Sequence, residues 1–267
     1  MTWWLVPLAA AVGLVMGALG GGGAIITVPV LVYLAQQPPA AAMVGSLIVV
    51  TVTASAGLIG HWRAGFLRPA EGVAFAALGS AGAVVGSLLS MRMPGTLLMA
   101  LFAVLLLVVA TVMAKKYLRP SPAAPRVVPP MVERDPLRVN WPQVALVAAT
   151  AAGVGLLTGF FGVGGGFAIV PALVIALGFT MQQAVATSLL VIVLNSLVAL
   201  ATRLSVATDI DWALIGWFSV LAAAGAILGG RLGRRLPART LGLGFAALLG
   251  VTSVAILAQT LTGLITQ

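Results

Sequence analysis

The chain has 267 residues, of which 61% are hydrophobic and 7% are charged, and its mean hydropathy is +1.17. Soluble domains carry roughly 25% charged residues, so this composition excludes a soluble enzyme, a nucleic-acid-binding domain and a disordered tail in spite of a net charge of +9. It indicates an integral membrane protein with several helices. The chain has no cysteine, one histidine and five scattered acidic residues, and it therefore predicts no metal site, cofactor or catalytic group.

Six apolar runs are long enough to cross a hydrocarbon core about 30 Å thick. They comprise residues 41–60, 72–90, 95–114, 182–202, 212–230 and 240–262. Two further apolar regions are interrupted by glycine runs, at residues 20–23 and 162–166. The arm after each run is too short to cross at 1.5 Å per residue, so each region predicts a glycine-broken re-entrant helical hairpin. Pro29 and Pro171 are expected to kink the short arms.

The two halves of the chain repeat each other. Residues 13–32 align with residues 155–174 at an offset of 142, and ten of these twenty positions are identical. At an offset of 143, Gly82 and Gly86 meet Gly225 and Gly229. The predicted fold is therefore all-α, with two repeats that each combine a hairpin with three transmembrane helices, at residues 1–114 and 143–267. Residues 115–142, which hold seven prolines, are predicted to be an extended, solvated linker.

The basic residues predict the orientation of the repeats. If each hairpin returns to the side from which it came, the repeats are inverted and twelve of the fourteen Lys and Arg residues share one side. If each hairpin crosses, the repeats are parallel and the split is nine to five. The positive-inside rule favours the inverted arrangement. The linker is then cytoplasmic, both termini lie outside, and the protein lies in the inner (plasma) membrane.

The glycine runs are the first candidate site. Non-helical backbone is tolerated at membrane depth where it is buried in protein or lines a cavity, and a helix that begins after such a break points free amide groups at it, which favours anions. Single small-residue pairs, such as Gly13 with Gly17 and Gly225 with Gly229, are instead typical of close helix packing. No P-loop lysine follows the glycines, so a nucleotide site is not predicted.

Neutral polar side chains inside the spans are the second candidate. Ser46 and Thr53 share one helix face, as do Ser188 and Asn195, and such groups would orient an anion without a buried charge. Bonds to the preceding turn or between helices explain them equally well. The predicted binding residues are Gly20, Gly21, Gly22, Gly23, Ser46, Thr53, Gly162, Gly164, Gly165, Gly166, Thr187, Ser188 and Asn195.

Three polar residues at the ends of the first long runs remain open, namely His61, Arg63 and Arg203. An arginine at a pore mouth attracts anions, but long basic side chains also reach from a helix end to lipid headgroups. The tryptophans near span ends, including Trp62, Trp141 and Trp212, are expected to lie at the membrane interface.

The doubled pattern G-x-x-x-G-x-x-G-x-G-G-x-x-x-x-x-P-x-L, at residues 13–31 and 155–173, resembles the sulfite exporter TauE/SafE family of membrane permeases. The A-x-x-x-S-L that follows in each half, at residues 42–47 and 184–189, is also similar to that family. The resemblance covers both halves outside the linker. It implies transport of a sulfur-containing anion, such as sulfite or an organosulfonate, across a prokaryotic inner membrane.

These observations predict a secondary permease that binds a small anion between the two breaks and releases it by rocking of the repeats. It is expected to be no enzyme and to bind no nucleic acid, and a homo-oligomer is left open. A channel-like anion pore remains an alternative. A non-transporting membrane subunit that anchors or senses for a partner through the basic linker is another.

Overall fold

The computed structural model describes residues 5–90, 93–118, 132–134, 137–161, 166–203 and 210–265. The helices are α1 Leu5–Leu19, α2 Gly22–Pro29, α3 Pro39–Arg63, α4 Pro69–Ser90, α5 Gly95–Leu118, α6 Trp141–Phe161, α7 Gly166–Ile175, α8 Met181–Arg203, α9 Trp212–Arg235 and α10 Ala238–Ile265. In the linker, β1 Val132–Arg134 and β2 Leu137–Val139 form a small antiparallel hairpin. The helical class of the fold is confirmed.

Seven of these helices are long and apolar enough to cross a membrane: α3, α4, α5, α6, α8, α9 and α10. Six of them contain the six predicted apolar runs. The seventh, α6, has 21 residues and is long enough to cross alone, although the sequence predicts only the first arm of a hairpin there. Its equivalent α1 has 15 described residues. The exposed Trp62, Trp141 and Trp212 side chains lie at helix ends, as expected of interface residues.

The prolines of the two short arms lie in different local structure. In the first half α2 ends at Pro29 and continues as a π-helical turn, Val30–Leu34. In the second half Pro171 lies within the ten-residue helix α7. Proline removes one backbone donor and crowds the preceding turn, and the π-helical turn accommodates that change in the first half. Gly23 lies against Met16 Cβ, so α2 folds back on α1 as a hairpin.

The boundary predicted at residue 114 is short by one helical turn. Helix α5 runs to Leu118, and Lys116 Nζ donates a hydrogen bond to the Val174 carbonyl of α7 at 2.6 Å. This carbonyl belongs to the last turn of α7, where helical carbonyls lack partners. The first residues of the predicted linker are therefore helical and tie the second hairpin to α5. Most of the remaining linker lies outside the described residues.

Each hairpin packs against the other half of the chain through glycines. Helix α1 lies along α9, and α6 lies along α4. In these two contacts, called seams below, the backbones are so close that a Cβ added to a glycine would overlap a carbonyl of the facing helix. The facing pairs are Gly13 with Ala222, Gly17 with Ala226, Gly225 with Ala10, Gly229 with Leu14, Gly155 with Gly79, Gly159 with Ala83, Gly82 with Ala152, and Gly86 with Leu156. The predicted packing role of these glycine pairs is confirmed.

The two seams repeat each other contact by contact. Gly13 faces Ala222 in the first seam. Their equivalents in the other half, at the offsets of 142 and 143, are Gly155 and Gly79, and these two residues face each other in the second seam. In both seams the residue numbers rise together along the two helices, so the paired helices are parallel. The duplication seen in the sequence is thus present in the packing, and each half supplies one hairpin helix and one long helix to the other half.

The last helices of the two halves also meet. Tyr117, at the end of α5, lies beside Gly242, near the start of α10. Ser253, further along α10, donates a buried hydrogen bond to the Ala103 carbonyl, nearer the start of α5, at 2.8 Å. The residue numbers of successive contacts therefore increase along α10 and decrease along α5, so the two helices are antiparallel.

An aromatic cluster fixes the second hairpin. The Phe102 ring of α5 lies 5.3 Å from that of Phe161 and 5.1 Å from that of Phe167, measured between centroids. These spacings are typical of favourable aromatic pairs. Because Phe161 ends α6 and Phe167 begins α7, the cluster holds both sides of the second break against α5.

Candidate functional site

The two glycine breaks approach each other at Gly21 and Gly166, where the structure describes a residue of each. Gly21 and Gly166 are so close that a Cβ on either would collide with backbone atoms of the other, and both residues are buried. Gly166 begins α7, whereas Gly162, Gly164 and Gly165 lie outside the described residues. The structure therefore brings together one residue of each predicted break.

Gly20 makes the turn between α1 and α2. Its φ is +78°, a left-handed conformation that glycine adopts without the steric cost of a Cβ. A Cβ there would also approach Ser188 Oγ to 2.5 Å. The first break is thus in contact with α8 of the other half, at one of the predicted polar residues.

The expectation that the glycine break leaves its amide groups free is wrong at Gly20. Its N–H donates to the Met16 carbonyl at 2.8 Å and so closes the end of α1 in the manner of a helix C-terminal turn. Gly22 faces the Leu248 side chain, and the Gly23 carbonyl accepts a bond from Thr27 Oγ1 at 3.0 Å. The break is therefore partly satisfied internally, because the left-handed residue turns its own amide back to α1.

The two predicted serines bond within their own helices. Ser46 Oγ donates to the Met43 carbonyl at 2.8 Å, and Ser188 Oγ donates to the Val185 carbonyl at 2.9 Å. Both residues are buried. Their hydroxyl hydrogens are thus engaged, and what each offers a neighbour is an oxygen acceptor. Ser188 presents that oxygen at Gly20.

Two predicted threonines are fully buried with hydroxyls that have no hydrogen-bond partner. Thr53 and Thr187 both have 0% exposure. An unsatisfied buried hydroxyl is costly and uncommon in folded proteins, so these two groups are available for a ligand. Asn195, at the position equivalent to Thr53, is half-buried.

The predicted polar residues do not all face one point. Thr187 lies beside Gly72 at the start of α4, whereas its neighbour Ser188 faces Gly20. Thr53 precedes Gly57 by one helical turn, and Gly57 contacts Leu189 and Gly17. Residues four apart share a helix face, so Thr53 is directed towards α8 and α1. The group gathered at the break is Gly20, Gly21, Gly166 and Ser188.

His61 is an inward-facing residue that the sequence left open. It is 1% exposed, and its Nε2 lies 3.1 Å from the Gly17 carbonyl. Because a carbonyl only accepts, Nε2 carries the hydrogen. Nδ1 is buried without a partner. His61 therefore braces the last turn of α1 before the break. The side chain of Arg203, its equivalent, lies outside the described residues.

Sequence reasoning also missed a basic cleft between α3 and α9. It has a volume of about 370 Å³ and is lined by Ala56, Gly57, Ile59, Gly60, Arg63, Ile227, Arg231 and Arg234. Buried Ser219 of α9, whose hydroxyl is unpartnered, was missed as well, because the equivalent position in the first half is Ala76 and the repeat gives no signal there. Among the described residues, no group of three His, Cys, Asp or Glu side chains is placed to hold a metal ion.

The described residues form a bundle with seven helices of spanning length, built as two interlocked copies, which is the architecture of a multi-pass membrane protein. The profile of the sulfite exporter TauE/SafE family matches residues 5–256, and the chain belongs to that family. This match confirms the resemblance found in the sequence.

Curated relatives carry transporter names. A probable membrane transporter protein of Xylella fastidiosa strain 9a5c is 35% identical over 231 residues, which cover 85% of this chain and 82% of that protein. A protein of the same description from strain Temecula1 matches to the same extent. The probable membrane transporter protein YunE of Bacillus subtilis strain 168 is 32% identical over 103 residues, 37% of this chain and 36% of that protein. No solved structure matches the chain.

Proposed function

We propose that this transporter is a secondary permease for a small sulfur-containing anion of the sulfite or organosulfonate class. The anion binds between the two glycine breaks and leaves the cell by alternating access. The observation that carries the proposal is the direct approach of Gly21 to Gly166, with Gly20 against Ser188. Two broken helices that meet in a bundle, one from each half, form the usual site of a transporter built from repeats.

The polar side chains that the proposal uses are neutral, and Ser188 is the one that lies at the break. The unpartnered hydroxyls of Thr53 and Thr187 are buried and can donate to an oxyanion. The buried carboxylate among the described residues is Glu71, which lies in the first turn of α4 and pairs with Arg68 at 3.5 Å. A carboxylate proton relay through the bundle is therefore not part of the proposal.

The proposal includes inverted repeats. Helices α5 and α10 occupy equivalent places in the two halves, and they pack antiparallel, as inverted copies require. The order of contacts between α3 and α9 supports the same arrangement, since Gly45 faces Ile215 and Gly60 faces Arg234. Helix α3 is thus parallel to α9. The short connection 64–68 makes α4 run opposite to α3. Helix α4 therefore runs opposite to α9, its equivalent in the other half.

With inverted halves, the ends of α3, α5 and α9 lie on the same side as the linker. The positive-inside rule then places the linker in the cytoplasm and both termini outside the inner membrane. An inside-negative potential of 100 mV contributes about 2.3 kcal/mol to the export of a monoanion, which sustains a gradient of about 50-fold. Export therefore needs no coupling ion.

Flux in proteoliposomes at clamped potential tests the proposal. Sulfite, thiosulfate, sulfoacetate and taurine are loaded in turn, and release is followed at each sign of the potential. Release of the anionic substrates is expected to accelerate when the compartment that holds them is negative. Gly21→Val should abolish this flux, because its side chain would overlap the Gly166 backbone.

The matched control is Gly153→Val in α6, a position with open space around it, which should retain flux. Release that ignores the sign of the potential would overturn electrogenic export. Single-channel currents would favour the pore instead of alternating access. Deletion of residues 120–136 should leave flux intact, whereas a protein that only anchors a partner would show no flux and would lose that partner.

A further inference from the structure

Three guanidinium groups line the cleft between α3 and α9, and no carboxylate is among its described lining residues. Arg63, Arg231 and Arg234 line it. The ion pair among the described residues joins Arg68 to Glu71, outside this cleft. Arg63 and Arg231 are exposed and Arg234 is half-buried, and three positive charges around one cleft create a potential that attracts anions. The charges that line the cleft therefore favour an anionic ligand.

Arg234 points into the protein and not out to the membrane surface. A Cβ on Gly60 would lie 2.7 Å from its Nη1, and one on Gly230 would lie 3.5 Å from the same atom. The guanidinium thus rests over two glycines, one in each wall, and is half-buried. A side chain that only reached for headgroups would extend outward from the helix end. The two glycines make room for a fixed guanidinium.

The rest of the wall is apolar. Ala56, Gly57, Ile59 and Ile227 form the surface between the charges, and the cavity of about 370 Å³ falls in the size range of small-molecule sites. Guanidinium groups recognise sulfonate and phosphate oxygens in a two-pronged manner. An apolar wall beside them adds affinity for a hydrocarbon portion of the same ligand.

We infer that this cleft is a second anion site, separate from the glycine breaks, and that it binds an amphiphilic monoanion with an oxyanion head and a short alkyl part. The arginines bind the head, and the apolar wall binds the alkyl part. Two sources share this chemistry, an alkanesulfonate from solution and the headgroup of an anionic phospholipid. The inference does not depend on transport through the breaks.

The site belongs to one half only. The positions equivalent to Arg63, Arg231 and Arg234 carry Ser205, Leu88 and Met91. None of the three lining arginines therefore has an arginine at its equivalent position in the sequence, and the anion site lies at the end where α3 and α9 finish. Gly17, bonded to His61, contacts Gly57 of the cleft wall, so an occupant would lie beside the turn that precedes the first break.

Binding of methanesulfonate, propanesulfonate and butanesulfonate to the purified full-length protein in phosphatidylcholine nanodiscs tests this inference by calorimetry. Affinity should rise about fourfold with each added methylene. Arg234→Gln should weaken butanesulfonate binding by about tenfold or more, since a charge-assisted bond is lost. Arg239→Gln, exposed at the start of α10 and outside the cleft, is the matched control and should bind as the wild type does.

Gly60→Ala distinguishes binding in a preformed site from non-specific electrostatic attraction. The variant keeps every charge but displaces the Arg234 guanidinium. It should weaken binding by several-fold, and Arg234→Lys should restore only part of the affinity lost in Arg234→Gln. A phospholipid source predicts instead that phosphatidylglycerol co-purifies with the wild type and Arg239→Gln, is lost from Arg231→Gln/Arg234→Gln, and blocks butanesulfonate when added to the nanodiscs.

Either pattern supports the site and identifies its source. Equal retention of butanesulfonate and phosphatidylglycerol by Arg239→Gln and the folded double variant would overturn it, as would an affinity that ignores Gly60→Ala. Flux measured on the same variants is a separate readout, so a failure of this inference leaves the proposed permease untouched. Elution of each variant as a monodisperse peak shows that it has folded.

Discussion

The sequence duplication is retained in the two glycine seams and is lost in part at the ends of the helices. Helix α1 meets α9 and α6 meets α4 through equivalent backbone contacts. At the end of the first seam, however, buried His61 and the arginine-lined cleft have no matching set in the other half. The duplicated part is the scaffold that both halves need to pack. The residues that differ between the two halves, His61 and the arginines of the cleft, lie near helix ends.

The largest effect is expected in the seams. Gly17→Leu and Gly159→Leu should each destabilise the protein by about 3 kcal/mol or more, because the added side chain meets a backbone carbonyl that cannot move aside. Equal losses in thermal stability, measured by the recovery of monodisperse protein after heating in detergent, would show that the seams are equivalent. Gly250→Leu in α10, where the structure leaves open space, is the control.

A large loss of thermal stability in only one of the two seam variants would contradict the equivalence of the seams. It would mean that one seam carries the bundle and that the other is an accessory contact.

The next effect is expected at the first break. Gly20→Ala combines a left-handed backbone with a collision against Ser188 Oγ, and we expect it to cost about 1–2 kcal/mol and to abolish anion flux. Thermal unfolding and proteoliposome flux measure the two effects. Gly22→Ala, whose close contact would be with the end of the flexible Leu248 side chain and not with backbone, should retain both.

The double variant Gly20→Ala/Ser188→Ala sharpens this prediction, because it removes the collision and keeps the backbone strain. Partial recovery of stability is expected. If Gly20→Ala transports at the wild-type rate, the break does not contribute to the site.

The smallest effect is expected from the buried threonines. Thr53→Val and Thr187→Val remove hydroxyls that have no partner, so stability should stay the same or rise by about 1 kcal/mol, while flux of the anion should fall. Thr27→Val is the matched control, since its hydroxyl bonds to the Gly23 carbonyl and its loss should cost about 1 kcal/mol. Unchanged flux in both test variants would remove the threonines from the site.

Much of the bundle follows from patterns that lie close together in the sequence. Apolar runs of spanning length predict helices because a bilayer offers no other partner to the backbone. The doubled glycine motif predicts the repeat and the small-residue seams. The α6 span was underestimated because the run ends at a break, and the extension of α5 to Leu118 was missed because Lys115 and Lys116 were assigned to the linker.

The site was predicted less completely. Glycine runs indicated where the helices break, but the left-handed turn at Gly20 closes its amide onto Met16, and spacing alone does not reveal that bond. Adjacent residues also separate in space, as Thr187 faces α4 while Ser188 faces Gly20. The cleft joins residues from α3 and α9 that are more than one hundred positions apart in the chain, and a single sequence gives no signal for such a meeting.

The sequence by itself determined that the chain lies in a membrane, where six of the seven described spanning helices fall, and to which family it belongs. These properties depend on hydrophobic length and on local residue types. The tertiary structure alone decided which helices pair, that the hairpin of each half packs on the other half, and that Arg234 turns inward. Helices in a bilayer associate by shape and close contact. A stripe of small residues predicts that another helix packs closely there, but it does not identify that helix.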